Sequence, residues 1–434
     1  MNRLARPWRG ELLPAGLAAA AAVLIGALAV KSPVAAGLLI GAFGVGIAVA
    51  RLGVFAAAAA AFALLPWLVI FEGVLPGQLG TLAASGGAAA LVVVVWPLEF
   101  ESKLLPVACF FFMAVATGHL CFATAQDEYI QWAKEVVFAV MALATTSVRG
   151  QQLMPRFKVP VFGSCIAAMV VHGAIIGAGL GAIGTYYDAG ERLGFTGEGP
   201  HPLALMTMVI AVAGLCVNKN AWKIVLFALG AVPSALTGVR SALLGLAVGL
   251  FTFIFKSDVK LRAFVVLGLI AVVAYATGAL DVVTSRFADN AKEFSSLSSA
   301  GSGRGEIWTI ALNAWNAAGP VAWVFGTGLR SIPKFELAEM GKELIGHSDI
   351  VEVVVQFGVI GFAAWAAIWV GLLRSPSSAI ILLPILTFGV VNGSLEYVAP
   401  LSTGLVLAAA FATPREERGT QSLPSEPEQP RAGP

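Results

Sequence analysis

Apolar runs long enough to cross a lipid bilayer recur along almost the whole chain, and this one feature leaves few folds open. A spanning helix takes about 20 predominantly apolar residues, because each residue rises about 1.5 Å through a hydrocarbon core about 30 Å thick. Candidate spans fall at 12–30, 34–50, 54–71, 79–97, 104–123, 130–147 and 160–184. Further candidates fall at 202–217, 222–238, 241–255, 263–280, 350–373, 378–394 and 398–413. The expected architecture is therefore all-α, a polytopic integral membrane helix bundle of about 14 spans with one large outer loop.

Composition agrees, with 58% hydrophobic and only 12% charged residues, against about 25% charged in ordinary soluble domains. A formal net charge of +2 without a basic stripe gives no reason to expect a nucleic-acid partner. Cys109, Cys121, Cys165 and Cys216 all lie in apolar segments without metal-ligand spacing, so they read as small core residues. Arg3, Arg6 and Arg9 precede the run 12–30, which is longer than a usual signal-peptide core and is read as an uncleaved first span. Residues 1–413 thus form one transmembrane domain, and the Pro-, Glu- and Ser-rich tail 414–434 is expected to be disordered.

Lys and Arg in short loops mark the cytoplasmic side. With the N-terminus inside, Arg51, Arg149, Arg156, Lys158, Lys219, Lys223, Lys256, Lys260, Arg262 and Arg374 fall in the cytoplasm, and so does the C-terminal tail. The opposite face receives the turn at 126–128, the stretch 186–202 and the long loop 281–348. Structureless loops of that length are uncommon unless they carry function. Within it, Ile307, Ile310, Ala311 and Ala314 share one helical face with Trp308 and Trp315 alongside, predicting a helix laid on the membrane surface.

The residues that could do chemistry gather on this face. Arg240 interrupts an apolar stretch too long for one span, which places it at a tight outer turn, where it serves function or simply snorkels. Arg304 has glycines on both sides at the start of the presumed surface helix, which suits an anion site and equally a solvated loop position. Arg286 and Arg330 share the loop and read as solvated. His347 stands where the loop re-enters the membrane, and an imidazole suits removal of a proton from a hydroxyl. His119 and His172 read as core residues and His201 as an outer-loop residue. Two or three arginines with one histidine suggest a diphosphate held beside a proton acceptor. No residue set points to a metal, and neither a Walker-type loop nor a nucleophile elbow is present.

In order along the chain come Glu191-Arg192-Leu193-Gly194-Phe195, His201-Pro202-Leu203-Ala204 and Thr237-Gly238-Val239-Arg240-Ser241-Ala242. Then follow Gly303-Arg304-Gly305-Glu306-Ile307-Trp308, Phe325-Gly326-Thr327-Gly328, and His347 through Gly358 to Gly361. Over 190–361 this series resembles the O-antigen ligase and polymerase superfamily of bacterial membrane glycosyltransferases. Two departures are Ser348, where many relatives have Asn, and His201-Pro202-Leu203, where they often have Pro-Asn.

The resemblance implies a metal-independent, inverting transferase of GT-C type in the bacterial inner membrane, with no cofactor and a periplasmic active face. An undecaprenyl-diphosphate-linked glycan would be the donor, and a glycan or lipid A-core hydroxyl the acceptor. Arg240 and Arg304, with Arg192 as a further donor-binding residue, would hold the diphosphate, and His347 would serve the acceptor hydroxyl. A flippase or chain-length regulator is implied as a neighbour. The span count and the 303–308 segment favour a polymerase, with a ligase as the alternative. A lipid-linked-glycan transporter needs intramembrane charges, and the span interiors read as nearly free of charge.

Overall fold

The computed structural model describes residues 53–70, 77–95, 99–100, 102–178, 183–185, 191–193, 200–256, 304–341, 346–373 and 376–412. The expected spans 12–30, 34–50 and 263–280, Arg286, the first part of the outer loop and the tail 414–434 lie outside them. The first helices are α1 (Val54–Ile70), α2 (Gly77–Val95), α3 (Leu104–Leu120), α4 (Gln126–Thr146) and α5 (Val148–Gly177). Next come α6 (His201–Gly214), α7 (Asn220–Leu236) and α8 (Arg240–Lys256). The series ends with α9 (Arg304–Ala317), α10 (Pro320–Phe325), α11 (Ser331–Met340), α12 (Asp349–Leu372), α13 (Pro376–Asn392) and α14 (Val398–Phe411).

All eleven expected spans that fall on described residues contain a helix, although the end of 160–184 does not continue it. Among the described residues, by length and apolarity alone 150–175 and 349–372 suffice to cross a bilayer, and six further apolar helices are shorter, at 10–17 residues. One departure from an all-helical chain is a small antiparallel ribbon, β1 (Ile183–Thr185) with β2 (Glu191–Leu193), in which Arg192 pairs with Gly184. The start of α5 departs from expectation in another way: it begins at Val148 and runs through Pro155 and Pro160, so Arg149, Arg156 and Lys158 belong to a helix and not to a loop.

The core is built around α14. Val398–Phe411 is apolar all round and buried over almost its whole length, as a helix must be when neighbours surround it. It packs against α1, α2, α4, α5, α6 and α13. The equally apolar α6 is buried on every side as well. Cys109 and Cys165 are buried as expected, whereas Cys121 is exposed.

Helix α12 is broken at Gly358, whose φ of 67° and ψ of −170° leave the helical region. The break frees carbonyls that a membrane interior cannot solvate. They are recaptured by the segment after α10: Thr327 N–H donates to Val355 O at 2.8 Å and Gly328 N–H to Gln356 O at 3.1 Å. The two backbones touch through glycines, since a Cβ on Gly326 would lie 2.1 Å from Gln356 O and one on Gly358 would lie 2.4 Å from Val324 O. Both glycines also have positive φ, which a side chain resists. Gly326→Ala is therefore expected to lower thermal stability in detergent by several degrees, the signature of about 1–3 kcal/mol of strain. An unchanged melting temperature would remove this account of the contact.

The expected surface helix is corrected. On α9, Ile307 and Ala311 are buried against Ile332 and Val355, with Trp308 and Trp315 packed alongside, so that face serves the protein and not the bilayer surface. Exposed apolar side chains cluster on α10 instead, at Val321, Trp323, Val324 and Phe325, with Leu312 the exposed large apolar residue of α9.

Candidate active site

Five helix starts converge at one end of the bundle. His201 opens α6, Arg240 opens α8, Arg304 opens α9, Ser348 caps α12 and Tyr397 caps α14. A helix start presents unpaired N–H groups and the positive end of its dipole, so this arrangement favours a negatively charged ligand before any side chain is counted.

His347 is fixed by its backbone. Trp308 Nε1–H donates to the carbonyl of Gly346 at 2.6 Å, and Ser348 Oγ accepts from Val351 N–H at 3.4 Å as the cap of α12. Between them His347 takes a φ of 49°, one of two positive values at non-glycine positions among the described residues. The other is Arg330, at 57°, from the same end of the bundle. Such strain persists only where surroundings impose it, and it concentrates at functional sites.

Around His347 stand the other groups. The His201 ring lies 6.0 Å from the His347 ring and 6.4 Å from Tyr397, and its Nδ1 pairs with the Asn392 side-chain amide at 2.9 Å. Arg304 donates to Val391 O at 2.9 Å. Burial disfavours its charge, Tyr397 supports it and Arg240 opposes it, with the net effect of lowering its pKa. An anion between the two guanidiniums would relieve that repulsion. The structure thus groups Arg240, Arg304 and His347. Arg192 is placed apart in sequence on β2, which packs against α7.

Burial, and then the Arg304 charge, push the His347 pKa down to about 4, partly offset by Glu396. The imidazole is neutral at ordinary pH, so it can accept a proton.

The 391–397 turn between α13 and α14 ties the site together and was not foreseen from sequence. Val391 holds Arg304, Asn392 holds His201, and Ser394 Oγ and Leu395 N–H bond the buried Asp349 carboxylate. Glu396 pairs with Lys134 of α4. Burial would raise the Glu396 pKa, but Lys134, Arg330 and His347 outweigh it and hold the carboxyl low. The available signal was the polar run Asn392-Gly393-Ser394-Leu395-Glu396-Tyr397 between two apolar runs.

The expectation of span interiors nearly free of charge is also corrected, since Lys134, Glu135 and Glu352 are all buried inside helices. Adjacent opposite charges in an apolar run can hide against partners on other helices, and Lys134 does so with Glu396. Arg330 is likewise more than a solvated residue, bonding Asp127 at 3.1 Å. His119, expected in the core, instead lies at the end of α3 and pairs with Phe325 O at 2.6 Å.

The other end of the bundle is basic. Lys158 lies 4.2 Å from the Phe411 ring at the end of α14, and Lys223 lies 5.3 Å from the Phe253 ring near the end of α8.

Residues 224–366 match the family model described as O-Antigen ligase. This stretch is similar to the O-antigen ligase family. It covers roughly a third of the chain and contains Arg240, Arg304 and His347, whereas His201, Lys134 and the 391–397 turn lie outside it. The match supports an O-antigen ligase or polymerase type of function, and with the apolar helices it marks a membrane protein. No curated protein matches the chain.

Proposed function

We propose that this protein is an inner-membrane glycosyltransferase of surface-polysaccharide synthesis. It moves a glycan from an undecaprenyl-diphosphate carrier to an acceptor hydroxyl, with the lipid-linked repeat unit of a polymerase as the preferred acceptor. The observation that carries this reading is the meeting of Arg240, Arg304 and His347 at the converged helix starts.

The chemistry runs as an inverting displacement. His347 accepts the proton of the acceptor hydroxyl as its oxygen attacks the anomeric carbon from the face opposite the diphosphate. The bond from that carbon to the phosphate oxygen breaks, and its electron pair leaves with the carrier. Arg240 and Arg304 stabilise the charge growing there, as preorganised cations do where charge develops, and they fill the role a metal would otherwise take. Arg192 contributes to donor binding. This end faces the periplasm and the Lys158 end faces the cytoplasm, as does each terminus, in line with the basic residues gathered there.

Buried charge at Lys134 and Glu135 is the observation a lipid-linked-glycan transporter would require. Both lie eight or nine residues into α4, about 12 to 14 Å along its axis, and Lys134 is bound to the site through Glu396. One experiment separates the readings. Purified protein in detergent, given the lipid-diphosphate donor and acceptor, is expected to form elongated product without a sealed membrane. Absence of product there, with glycolipid translocation in vesicles, would establish the transporter. Transfer only to lipid A-core would establish the ligase.

A further inference from the structure

A small cavity lies beside Gly346, the residue before His347, and the displacement just described leaves it unused. Arg330, Gly346, Glu352, Gln356 and Glu396 line it. Glu352, on the first turn of α12, is 3% exposed, and neither carboxyl oxygen has a hydrogen-bond partner. It sits against the residue preceding His347, because a Cβ on Gly346 would lie 3.1 Å from Glu352 Oε1. His347 Nδ1 is buried and unpartnered as well. Two groups that can carry protons therefore flank Gly346.

The surroundings set the state of this acid. The charged groups acting on Glu352 are Glu396, Asp349, Glu135 and Lys134, with Arg330 at the cavity wall. Carboxyls outnumber cations, and an unpaired buried carboxylate costs several kcal/mol. With both oxygens unpartnered, the Glu352 carboxyl can receive a proton on one oxygen while giving one up from the other. Arg330, at the cavity wall, has a side chain 20% exposed that pairs with the half-exposed Asp127.

We propose that Glu352, with Glu396 beside it, forms a proton outlet behind His347, carrying the acceptor's hydroxyl proton to solvent past Arg330. The inference rests on His347 acting as the base. Donor and acceptor fill the front of the site during transfer, so a proton taken there needs another way out. The acceptor O–H breaks as one imidazole nitrogen gains the proton, and the Nδ1 proton passes to a Glu352 oxygen. The proton already on Glu352 leaves past Glu396 and Arg330. One proton enters the relay from the acceptor and one reaches solvent. Glu352 acts through His347 and is a positioning and relay residue.

The test is Glu352→Gln in detergent-purified protein, a substitution that removes no hydrogen bond found at this side chain. Expected are a fall in kcat of roughly 10- to 100-fold and a donor KM within about twofold of wild type. A larger solvent deuterium effect on kcat and partial recovery in Glu352→Asp are expected with them. Unchanged kcat and isotope effect would overturn the inference. So would a loss of kcat accompanied by a raised donor KM, a lower melting temperature and an unchanged isotope effect, which is the pattern of a structural residue. Full activity in His347→Asn would instead remove the base on which the inference depends. An inactive His347→Asn beside an unaffected Glu352→Gln would leave that base in place and remove the outlet alone.

Discussion

His347→Asn should lower glycan transfer by roughly 100- to 10,000-fold, the span associated with losing a positioned general base. Asparagine is the informative replacement because it tolerates positive φ, so the backbone at a φ of 49° need not move and the protein should reach the membrane in normal amounts. The wild-type pH profile adds a second reading. Burial and the Arg304 charge bring the free imidazole down to about 4, so the base form is retained on acidification well past the ordinary histidine range. The acid limb of kcat/KM, which reports the free enzyme, is expected near pH 4. A bound diphosphate favours the imidazolium, so the limb of kcat should lie at higher pH. Wild-type turnover in the variant would dismiss His347 as the base.

Arg304→Ala should cost roughly 100- to 1,000-fold in kcat, the loss typical when a preorganised group facing developing charge is removed. Arg304→Lys should recover only part of it. Lysine keeps the charge but not the planar fork that can hold Val391 O and a phosphate oxygen together. A companion Arg240→Ala should fall in the same direction, and the double variant should lose less than the product of the single effects if both guanidiniums act on one ligand. Single-turnover measurement with saturating donor would separate binding from chemistry. Normal rates in Arg304→Ala would take this side chain out of the diphosphate site.

Much of the fold was legible because membrane helices announce themselves by length and apolarity, and most helix limits fall within a few residues of the apolar runs. The exceptions have local causes. The basic and polar residues at 149–158 made the start of α5 look like a loop, although the helix passes through them. The apolar face of α9 was taken for a membrane-facing one because sequence cannot say which surface it meets, and the partners, Ile332 and Val355, come from 21 or more residues away. Arg240, Arg304 and His347 could be found because each interrupts its surroundings. Lys134 and Glu396 could not, because a separation of 262 positions in the chain hides that each neutralises the other. His201 likewise gained its place beside His347 only from folding, 146 residues apart in the chain.

The interruption of α12 at Gly358 has a consequence for how the protein tolerates different lipids. Bilayers vary in thickness, and a spanning helix adjusts by leaning. Here the nine residues from Asp349 to Phe357 are tied to the 326–328 segment, and the longer portion from Val359 to Leu372 continues separately. Leaning by the lower portion can be taken up at the glycine joint, so the geometry that aims the imidazole is insulated from the thickness of the surrounding membrane.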